Sequence, residues 1–217
     1  MQPEFDLRYP YIAVEGPVGV GKSTLARTLA RRLSATILQE DVRNPFLQDF
    51  YVGRKGAAFQ CQLFFLLTRF QQQKELVQRT LFDTRLVSDY FPQKDKIFAH
   101  LNLTDSELVV YQKMYGLLME GLPKPDLVIY LQATSETLRK RIKGRNRDYE
   151  RQISDDYIEE LNQAYNYFFF NYRETPLLVV NTNEVDFERR PEELDHLLIQ
   201  MNRCERGVFL YAPLGSP

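Results

Sequence analysis

The sequence lacks an excess of charge of either sign, and it lacks long apolar stretches. Its 28 lysines and arginines nearly balance its 29 aspartates and glutamates, so the formal net charge is −1. Such a balance argues against binding to a nucleic acid polymer or to an anionic membrane surface. No apolar stretch reaches the roughly 20 residues that a membrane-spanning helix needs, and residues 1–10 lack the apolar core of a signal peptide.

The sequence also has little cysteine and no internal repetition. Its two cysteines, Cys61 and Cys204, lie far apart and show neither metal-binding spacing nor a disulfide framework. This usage suits a reducing compartment, and we expect a cytoplasmic protein. No repeat or low-complexity linker divides the chain, so residues 1–217 are expected to form a single domain with a sizeable core.

The sequence does contain a glycine-rich stretch that matches the P-loop pattern G-x-x-x-x-G-K-[ST]. It lies between a predicted buried strand, Tyr11–Val14, and a helix that begins near Leu25. In such a loop the amides and the helix N-terminus surround a phosphate chain, the lysine reaches the β- and γ-phosphates, and the serine holds Mg²⁺. An ordinary glycine turn is the alternative. The predicted nucleotide-binding residues are Gly16, Pro17, Val18, Gly19, Val20, Gly21, Lys22, Ser23 and Thr24, with Ser23 as a metal ligand.

Short apolar segments alternate with helical patterns along the chain. This alternation predicts an α/β fold with a five-stranded parallel sheet that is covered by helices on both faces. The predicted strands are Tyr11–Glu15, Thr36–Glu40, Arg85–Asp89, Asp126–Leu131 and Leu177–Asn181. The main predicted helices are 57–82, 103–120 with a capping box at Thr104 and Glu107, 154–173 capped by Ser154, and 192–201 after Pro191. The tail 203–217 has no clear period and is expected to be loose.

Carboxylates end three of the predicted strands, at Glu15, Glu40 and Asp89. Ligands of parallel sheets bind outside the carboxyl ends of the strands. Phosphoryl transfer needs a group that orients the acceptor hydroxyl and takes its proton, together with a partner for Mg²⁺. Glu40 and Asp89 are the candidates for these roles, and the alternative is that Asp41 or Asp89 merely caps a turn.

The segment Arg139–Arg147 is strongly basic, with six lysines and arginines among nine residues. Arg141 and Arg145 are four residues apart, so they would share a face if the helix continues. Arginines on a mobile lid above a P-loop neutralise charge on the transferred phosphoryl group. We therefore predict an arginine-rich lid at about 141–153, with a solvated basic face as the alternative.

Gln62, Phe65 and Arg69 would share one face of the long helix predicted at 57–82. A glutamine amide offers one donor and one acceptor to the edge of a base. Without further information, ordinary solvent exposure is the simpler interpretation of these polar side chains.

Longer segments resemble the deoxynucleoside kinase family, in particular its bacterial deoxyadenosine/deoxyguanosine kinases. They extend from Tyr11 to about Met201 and include YIAVEGPVGVGKSTLA (11–26), NPFLQDFY (44–51), AFQCQLFFLLTRF (58–70), VSDYFPQKDKIFAHLNL (87–103), LPKPDLVIYLQA (122–133) and LLVVNTNEVDF (177–187). The resemblance implies a P-loop kinase fold and a homodimer. It also implies nucleotide salvage by Mg²⁺-assisted phosphate transfer from ATP to the 5′-hydroxyl of a deoxynucleoside.

The resemblance assigns roles to several acceptor-side residues. Glu40 resembles the carboxylate that accepts the proton of the 5′-hydroxyl. Asp89 resembles a carboxylate that acts at Mg²⁺ or as an alternative base. Tyr90 stands where the family has arginine, which leaves one phosphate contact without its usual donor and makes the lid arginines candidates to supply it. Tyr51 and Glu150 resemble the pair that holds the 3′-hydroxyl.

The resemblance also addresses the base and the ATP side. Gln62 resembles the residue that reads the base, and Arg69 with Asp95 resembles a second polar pair beside it. Such a pair suits an amino- or oxo-purine or cytosine. We therefore expect deoxyadenosine or deoxyguanosine as substrate, with deoxycytidine as the alternative. On the ATP side the matching residues are Arg141 and Arg145 of the lid, and Asn183 and Phe187 of a loop beside the adenine.

Two other functions stay open. A nucleoside monophosphate kinase of the thymidylate kinase type shares the P-loop, lid and sheet, but it needs additional cationic contacts for the phosphate of its acceptor, and Tyr90 speaks against these. A non-catalytic P-loop module that binds ATP would leave the polar residues Tyr51, Gln62, Asp95 and Glu150 without a purpose.

Overall fold

The computed structural model of the protein describes residues 7–79, 85–145, 150 and 152–213, with only the backbone of 76–79. Its strands are β1 Tyr11–Glu15, β2 Thr36–Leu38, β3 Leu86–Ser88, β4 Leu127–Gln132, β5 Leu177–Asn181 and β6 Val208–Tyr211. Its helices are α1 Lys22–Arg32, α2 Leu47–Tyr51, α3 Ala57–Arg79, α4 Lys94–Asn102, α5 Asp105–Met119, α6 Ser135–Arg145, α7 Asp155–Asn171 and α8 Pro191–Arg203.

The strands form a parallel sheet in the order β2-β3-β1-β4-β5-β6. The α/β fold and the five predicted strands are confirmed, but the predicted number of strands was wrong. The sixth strand, β6, lies in the tail that we expected to be loose, and it pairs with β5 through Leu177 and Val208. Its sequence, VFLY, is apolar throughout, so it lacks the alternation of apolar and polar residues that indicates a half-buried strand. One of these apolar side chains, Leu210, is 82% exposed. Pairing with β5, rather than a pattern in its own sequence, makes this segment a strand.

Helices cover both faces of the sheet, as predicted. Successive side chains of a strand point to opposite faces, so Ile12 packs with Leu25 of α1 in one core while Ala13 belongs to the other. In the second core Tyr130 of β4 stacks on Phe169 of α7, with 4.1 Å between the ring centroids. The sheet is thus buried between two helical layers, which is the setting expected for parallel strands.

Local hydrogen bonds mark the N-terminal ends of α5 and α7. The capping box of α5 is present, since the Glu107 carboxylate accepts a hydrogen bond from Thr104 N at 3.0 Å. The Ser154 hydroxyl caps α7 by accepting from Tyr157 N at 3.1 Å. The predicted end of the long helix, Phe82, lies outside the described residues. The two short helices α2 and α4 were not predicted. None of the described helices is both long enough and apolar enough to cross a membrane.

The register of the sheet brings the three strand-terminal carboxylates together. Ser88 of β3 pairs with Ala13 of β1 on one side and with Leu38 of β2 on the other. The residues that follow these positions, Glu15, Glu40 and Asp89, therefore emerge at the same edge of the sheet. The glycine-rich loop leaves β1 at this edge, so the fold places the amides of the predicted P-loop beside the carboxylates.

Candidate active site

The loop between β1 and α1 follows a path that favours glycine. Gly16 has φ +155°, and a Cβ there would lie 2.5 Å from Leu131 O. Gly19 has φ +89°, and its Cβ would lie 2.9 Å from Ile142 Cγ1. Gly21, with φ +109°, is the N-cap of α1. The loop therefore packs closely between β4 and α6 with its amides at a helix N-terminus, and this cradle fits nucleotide phosphates.

Lys22 begins α1 and folds back over the loop. Its Nζ donates to the carbonyl oxygens of Gly16 at 2.6 Å and Pro17 at 3.2 Å, and it lies 3.8 Å from Glu15 Oε1. Burial lowers the pKa of Lys22, and the Glu15 carboxylate opposes that shift. Glu15 in turn accepts from Gly16 N and Phe91 N, both at 2.8 Å. This buried carboxylate ties the P-loop to the segment after β3, and sequence reasoning noted only its place at a strand end.

A cleft of about 380 Å³ extends from the P-loop to α3 and α4. A volume of this size lies within the range of small-ligand pockets. The predicted site residues that line it are Val18, Gly19, Gly21, Lys22, Ser23, Thr24, Glu40, Tyr51, Gln62, Arg69, Asp89, Asp95, Arg145 and Glu150. Gly16, Pro17 and Val20 belong to the same loop without lining the cleft. Donor-side and acceptor-side candidates thus face a common space.

Glu40 lies on the wall of this cleft between two cations. Arg69 Nη2 donates to Glu40 Oε1 at 2.5 Å, while Lys94 Nζ lies 2.6 Å from Oε1 and 2.7 Å from Oε2. Arg69 also forms a buried ion pair with Asp95. Burial by itself would raise the pKa of Glu40, but the charges of Lys94 and Arg69 outweigh it and hold that pKa well below its usual range. Glu40 is therefore an anion at physiological pH.

Asp89 is fixed beside Glu40 through the backbone. Asp89 N donates to Leu38 O at 3.0 Å, and Asp89 Oδ1 accepts from Glu40 N at 2.5 Å. The second contact joins Asp89 to a residue 49 positions earlier in the chain, between the ends of β2 and β3, so it is not the local turn cap of the alternative interpretation. It coexists with a position on the cleft wall, where Asp89 is 5% exposed.

Ser23 and Asp89 fit the predicted Mg²⁺ site in their chemistry. Both line the cleft and carry oxygen donors, which Mg²⁺ prefers. Within the described part of the chain, no group of three or more histidine, cysteine, aspartate or glutamate side chains could hold a metal ion. Mg²⁺ would therefore need phosphate oxygens as further ligands, which is its usual mode of binding in kinases.

The remaining wall of the cleft is formed by α2 and α3. Gln62 and Arg69 are only 3% and 4% exposed, so the interpretation of these side chains as solvated does not hold. The Arg69 guanidinium stacks over Phe65, with 4.7 Å to the ring centroid. Tyr51 is packed edge-on against Tyr157, with 6.4 Å between the ring centroids. These residues form an aromatic wall with a few fixed polar groups, which is typical of a pocket for a nucleobase and sugar.

The two predicted lid arginines have different partners. Arg145 lines the cleft, and its Nη2 lies 3.2 Å from Glu150 Oε1. Arg141 instead donates to Val20 O at 3.2 Å and to Thr182 O at 2.5 Å, away from the cleft wall. The helix does continue through both positions, yet Arg141 joins the P-loop to the end of β5 and does not face the cleft with Arg145.

Other ATP-side candidates are also placed outside the cleft. Asn183 Oδ1 accepts from Thr134 N at 2.9 Å, which links the loops that follow β4 and β5. Phe187 is 8% exposed and packs in the core beneath α8. Of the predicted lid, residues 146–149 and 151 lie outside the described residues.

Lys94 is the main cleft residue that sequence reasoning missed. It is the first residue of α4, a helix that was not predicted, so the sequence did not indicate which nearby lysine faces the cleft. Lys94 is 5% exposed and pairs with Glu40, whereas Lys96 Nζ lies over the ring of Tyr115 at 5.3 Å.

Comparisons with known proteins identify the family to which this chain belongs. The family model described as "Deoxynucleoside kinase" matches residues 12–204. A deoxyguanosine kinase of Bacillus subtilis (strain 168) is 36% identical over 203 residues, which cover 88% of this chain and 98% of the relative. A deoxyadenosine kinase of Dictyostelium discoideum is 36% identical over 196 residues, with 87% and 77% covered. A solved structure of deoxyadenosine kinase from M. mycoides with bound dATP has a TM-score of 0.73 at 30% identity, with 87% and 98% covered. From the match over most of its length, this chain belongs to the deoxynucleoside kinase family.

Proposed function

We propose that the protein transfers the γ-phosphoryl group of ATP to the 5′-hydroxyl of a deoxynucleoside, as a step of nucleotide salvage. The observation that carries this proposal is the shared cleft in which the P-loop and the partly buried carboxylate of Glu40 lie together. A P-loop alone would serve any nucleotide-binding protein, whereas a polar and aromatic wall beside it suits a small acceptor. The family match supports the same reaction.

On the donor side, the loop amides and Lys22 hold the β- and γ-phosphates. Lys22 and Arg145 both line the cleft, so they are placed to stabilise charge on the transferred group. Arg141 contributes by anchoring α6 to the P-loop through Val20 O. We further propose that the loop Asn183–Phe187 lies beside the adenine, with Asn183 offering polar contacts and Phe187 supporting the loop from the core.

On the acceptor side, Glu40 orients the 5′-hydroxyl and takes its proton as the new P–O bond forms. The low pKa of Glu40 makes it a weak base, so its main contribution is to orient the hydroxyl and to accept the proton late. The loose transition state of phosphoryl transfer tolerates a weak base, because the nucleophile needs little charge before bond formation.

Ser23 and Asp89 would hold Mg²⁺ together with the phosphates of ATP. The metal ion supplies charge neutralisation on the β- and γ-phosphates. Asp89 can serve as a ligand and still accept from Glu40 N, since a carboxylate has about four acceptor positions.

The substrate is proposed to be a purine deoxynucleoside, deoxyadenosine or deoxyguanosine. Gln62 would read the edge of the base, with the Arg69–Asp95 pair beside it, and Tyr51 with Glu150 would hold the 3′-hydroxyl. All five residues line the cleft. The names of the relatives favour purines, and deoxycytidine is the alternative because the same donors and acceptors suit cytosine.

A transfer assay tests the proposal. The protein is incubated with γ-labelled ATP and each of the four deoxynucleosides and their four monophosphates, and Lys22→Ala serves as the inactive control. Label should appear in dAMP or dGMP when the deoxynucleosides are offered. Transfer to monophosphates alone would instead indicate an enzyme of the thymidylate kinase type. Transfer to none of the acceptors would indicate a non-catalytic P-loop module.

We also propose that the protein is a cytoplasmic homodimer. The cytoplasmic assignment rests on the use of ATP and on two free, buried cysteines, Cys61 and Cys204. The dimer is supported by exposed aromatics on α7, where Tyr167 and Phe170 are 75% and 76% exposed. They adjoin a mostly apolar groove of about 600 Å³ between α4 and α7. Exposed apolar surface of this kind marks interaction sites.

A further inference from the structure

A buried lysine in the cleft has no role in the reaction as described so far. Lys94 is 5% exposed and lines the cleft. Lysine is almost never buried to this extent unless it is paired. Its Nζ lies within 2.7 Å of both carboxylate oxygens of Glu40, the residue proposed to receive the substrate hydroxyl.

The position of Lys94 in its own helix is unfavourable. It is the first residue of α4, where a cation meets the positive end of the helix dipole. Helix stability therefore does not explain a lysine there. The ion pair with Glu40 offsets this cost and holds the ammonium group on the cleft wall.

Three cations, Lys22, Lys94 and Arg145, line the same cleft. Burial is the main cause of the lowered pKa of Lys22; the charges of Lys94 and Arg145 reinforce that shift, and the carboxylates of Glu15 and Glu40 oppose it. Several cations that line one cleft can stabilise a highly charged anion, such as a transferred phosphoryl group.

The residue that follows Asp89 cannot supply this charge. Tyr90 is fully buried, and its hydroxyl accepts a hydrogen bond from Gln73 Nε2 at 3.2 Å instead of lining the cleft. The arginine that the family resemblance implies at this position is thus replaced by a buried tyrosine, and Lys94 brings a cation to the cleft from the next helix.

We infer that Lys94 is a catalytic residue, whose ammonium group donates a hydrogen bond to the transferred phosphoryl group once the 5′-hydroxyl occupies Glu40. The inference rests on the proposed function. In the step, the bond from the γ-phosphorus to the oxygen that leaves with ADP breaks, and the bond from the 5′-oxygen to phosphorus forms. The hydroxyl proton passes to Glu40, and Lys94 keeps its own proton throughout.

The charges around Lys94 explain why its contact with the phosphoryl group would strengthen in the transition state. Glu40, Asp95, Arg69 and Lys94 form one cluster of two acidic and two basic side chains. Proton transfer to Glu40 removes one negative charge from this cluster, beside the forming phosphate monoester. Lys94 is also released from its ion pair at that moment, so its attraction for the phosphoryl oxygens grows as the transition state is reached.

A double-mutant cycle separates a direct contact from mere support of Glu40. Single-turnover transfer from γ-labelled ATP is measured for Lys94→Met, Glu40→Gln and the combined variant. A lost contact to the phosphoryl group should lower the rate by about 100-fold in Lys94→Met. The combined variant should be at least about 10-fold slower than Glu40→Gln alone, because the contact persists when Glu40 is neutral. Lys94→Arg should restore part of the activity.

A control variant and a binding measurement distinguish a specific effect of Lys94 from a general loss of structure. Lys96→Met removes a lysine from the same helix outside the cleft and should leave the rate unchanged. The combined variant removes both charges, so it leaves no unpaired ion at this position, and nucleoside binding by calorimetry verifies its fold. If Lys94→Met has no effect in the Glu40→Gln background, or none in the native background, the inference is overturned. An inactive native protein would instead overturn the proposed function.

Discussion

At the scale of single residues, Glu40 connects the two halves of the cleft. A carboxylate whose side chain is only 14% exposed has a tendency toward its neutral form, because partial burial disfavours the charge. The charges of Lys94 and Arg69 reverse that preference, so before reaction Glu40 is an anion opposite the predicted phosphate-binding loop. The arrangement favours accurate placement of a hydroxyl over strong basicity.

Replacement of Glu40 by glutamine tests that view. Glu40→Gln keeps the size of the side chain and one acceptor oxygen but removes the charge and the proton acceptor. We expect kcat to fall by about 100- to 10,000-fold, the usual contribution of a positioned acid or base, while the Kd of the deoxynucleoside changes only a few-fold. Steady-state kinetics and calorimetry measure the two quantities. Glu192→Gln, an exposed carboxylate on α8, is the matched control. Near-normal kcat in Glu40→Gln would refute the role.

The sequence predicted site residues that belong to local patterns. It did not predict site residues whose partners lie far away along the chain. The P-loop is a contiguous pattern, and helical periodicity placed Gln62 and Arg69 on one face. Lys94 pairs with Glu40 across 54 positions, and the helix that carries it has no strong period. Arg141 was expected beside Arg145 because of its spacing. Its long side chain reaches the backbone of the P-loop and of β5 instead, and only the packed structure decides between those partners.

At the scale of elements, local hydrogen bonds determine where some helices begin, whereas contacts with distant parts of the chain determine whether other segments form regular structure. The caps at Thr104 and Ser154 are local hydrogen bonds, so their helices begin where the sequence predicts. β6 becomes a strand only because β5 presents an unpaired edge to it. The helix α4, at nine residues, is too short to show a clear period and is held by packing against α3 and α7.

One glycine within α5 and one just after its C-terminal end allow a matched test of how backbone conformation affects stability. Gly116 lies within the helix and Gly121 has φ +75°, and an added Cβ would meet nothing within 4 Å at either site. Gly116→Ala should raise the free energy of unfolding by about 0.5–1 kcal/mol, since glycine is a poor helix former. Gly121→Ala should lower it by about 1–2 kcal/mol, because a side chain is strained at positive φ. Thermal unfolding measures both, at about 2–4 °C per kcal/mol. Equal shifts of the same sign would refute the argument.

At the scale of the whole molecule, the surface is uneven in its apolar exposure. The cleft edge of the sheet carries charged and polar groups, while α7 exposes Tyr167 and Phe170 beside the groove lined by Ile97, Leu101 and Phe168. Large aromatic side chains lose much apolar contact with water when two such faces meet. A two-fold axis would pair each α4–α7 face with its own copy, which is the usual geometry of homodimers.

The proposed dimer can be tested by measuring the mass of the protein in solution. Light scattering after size exclusion should give about twice the chain mass of 25.6 kDa for the native protein. Phe170→Glu places a charge on the face that is proposed to be buried, so it should shift the mass to that of one chain, because an unpaired buried charge is costly. Leu117→Glu on α5, a side chain that is 79% exposed, alters an equally open apolar residue and should leave the dimer intact. A native monomer would refute the dimer, and dissociation by Leu117→Glu alone would move the interface to α5.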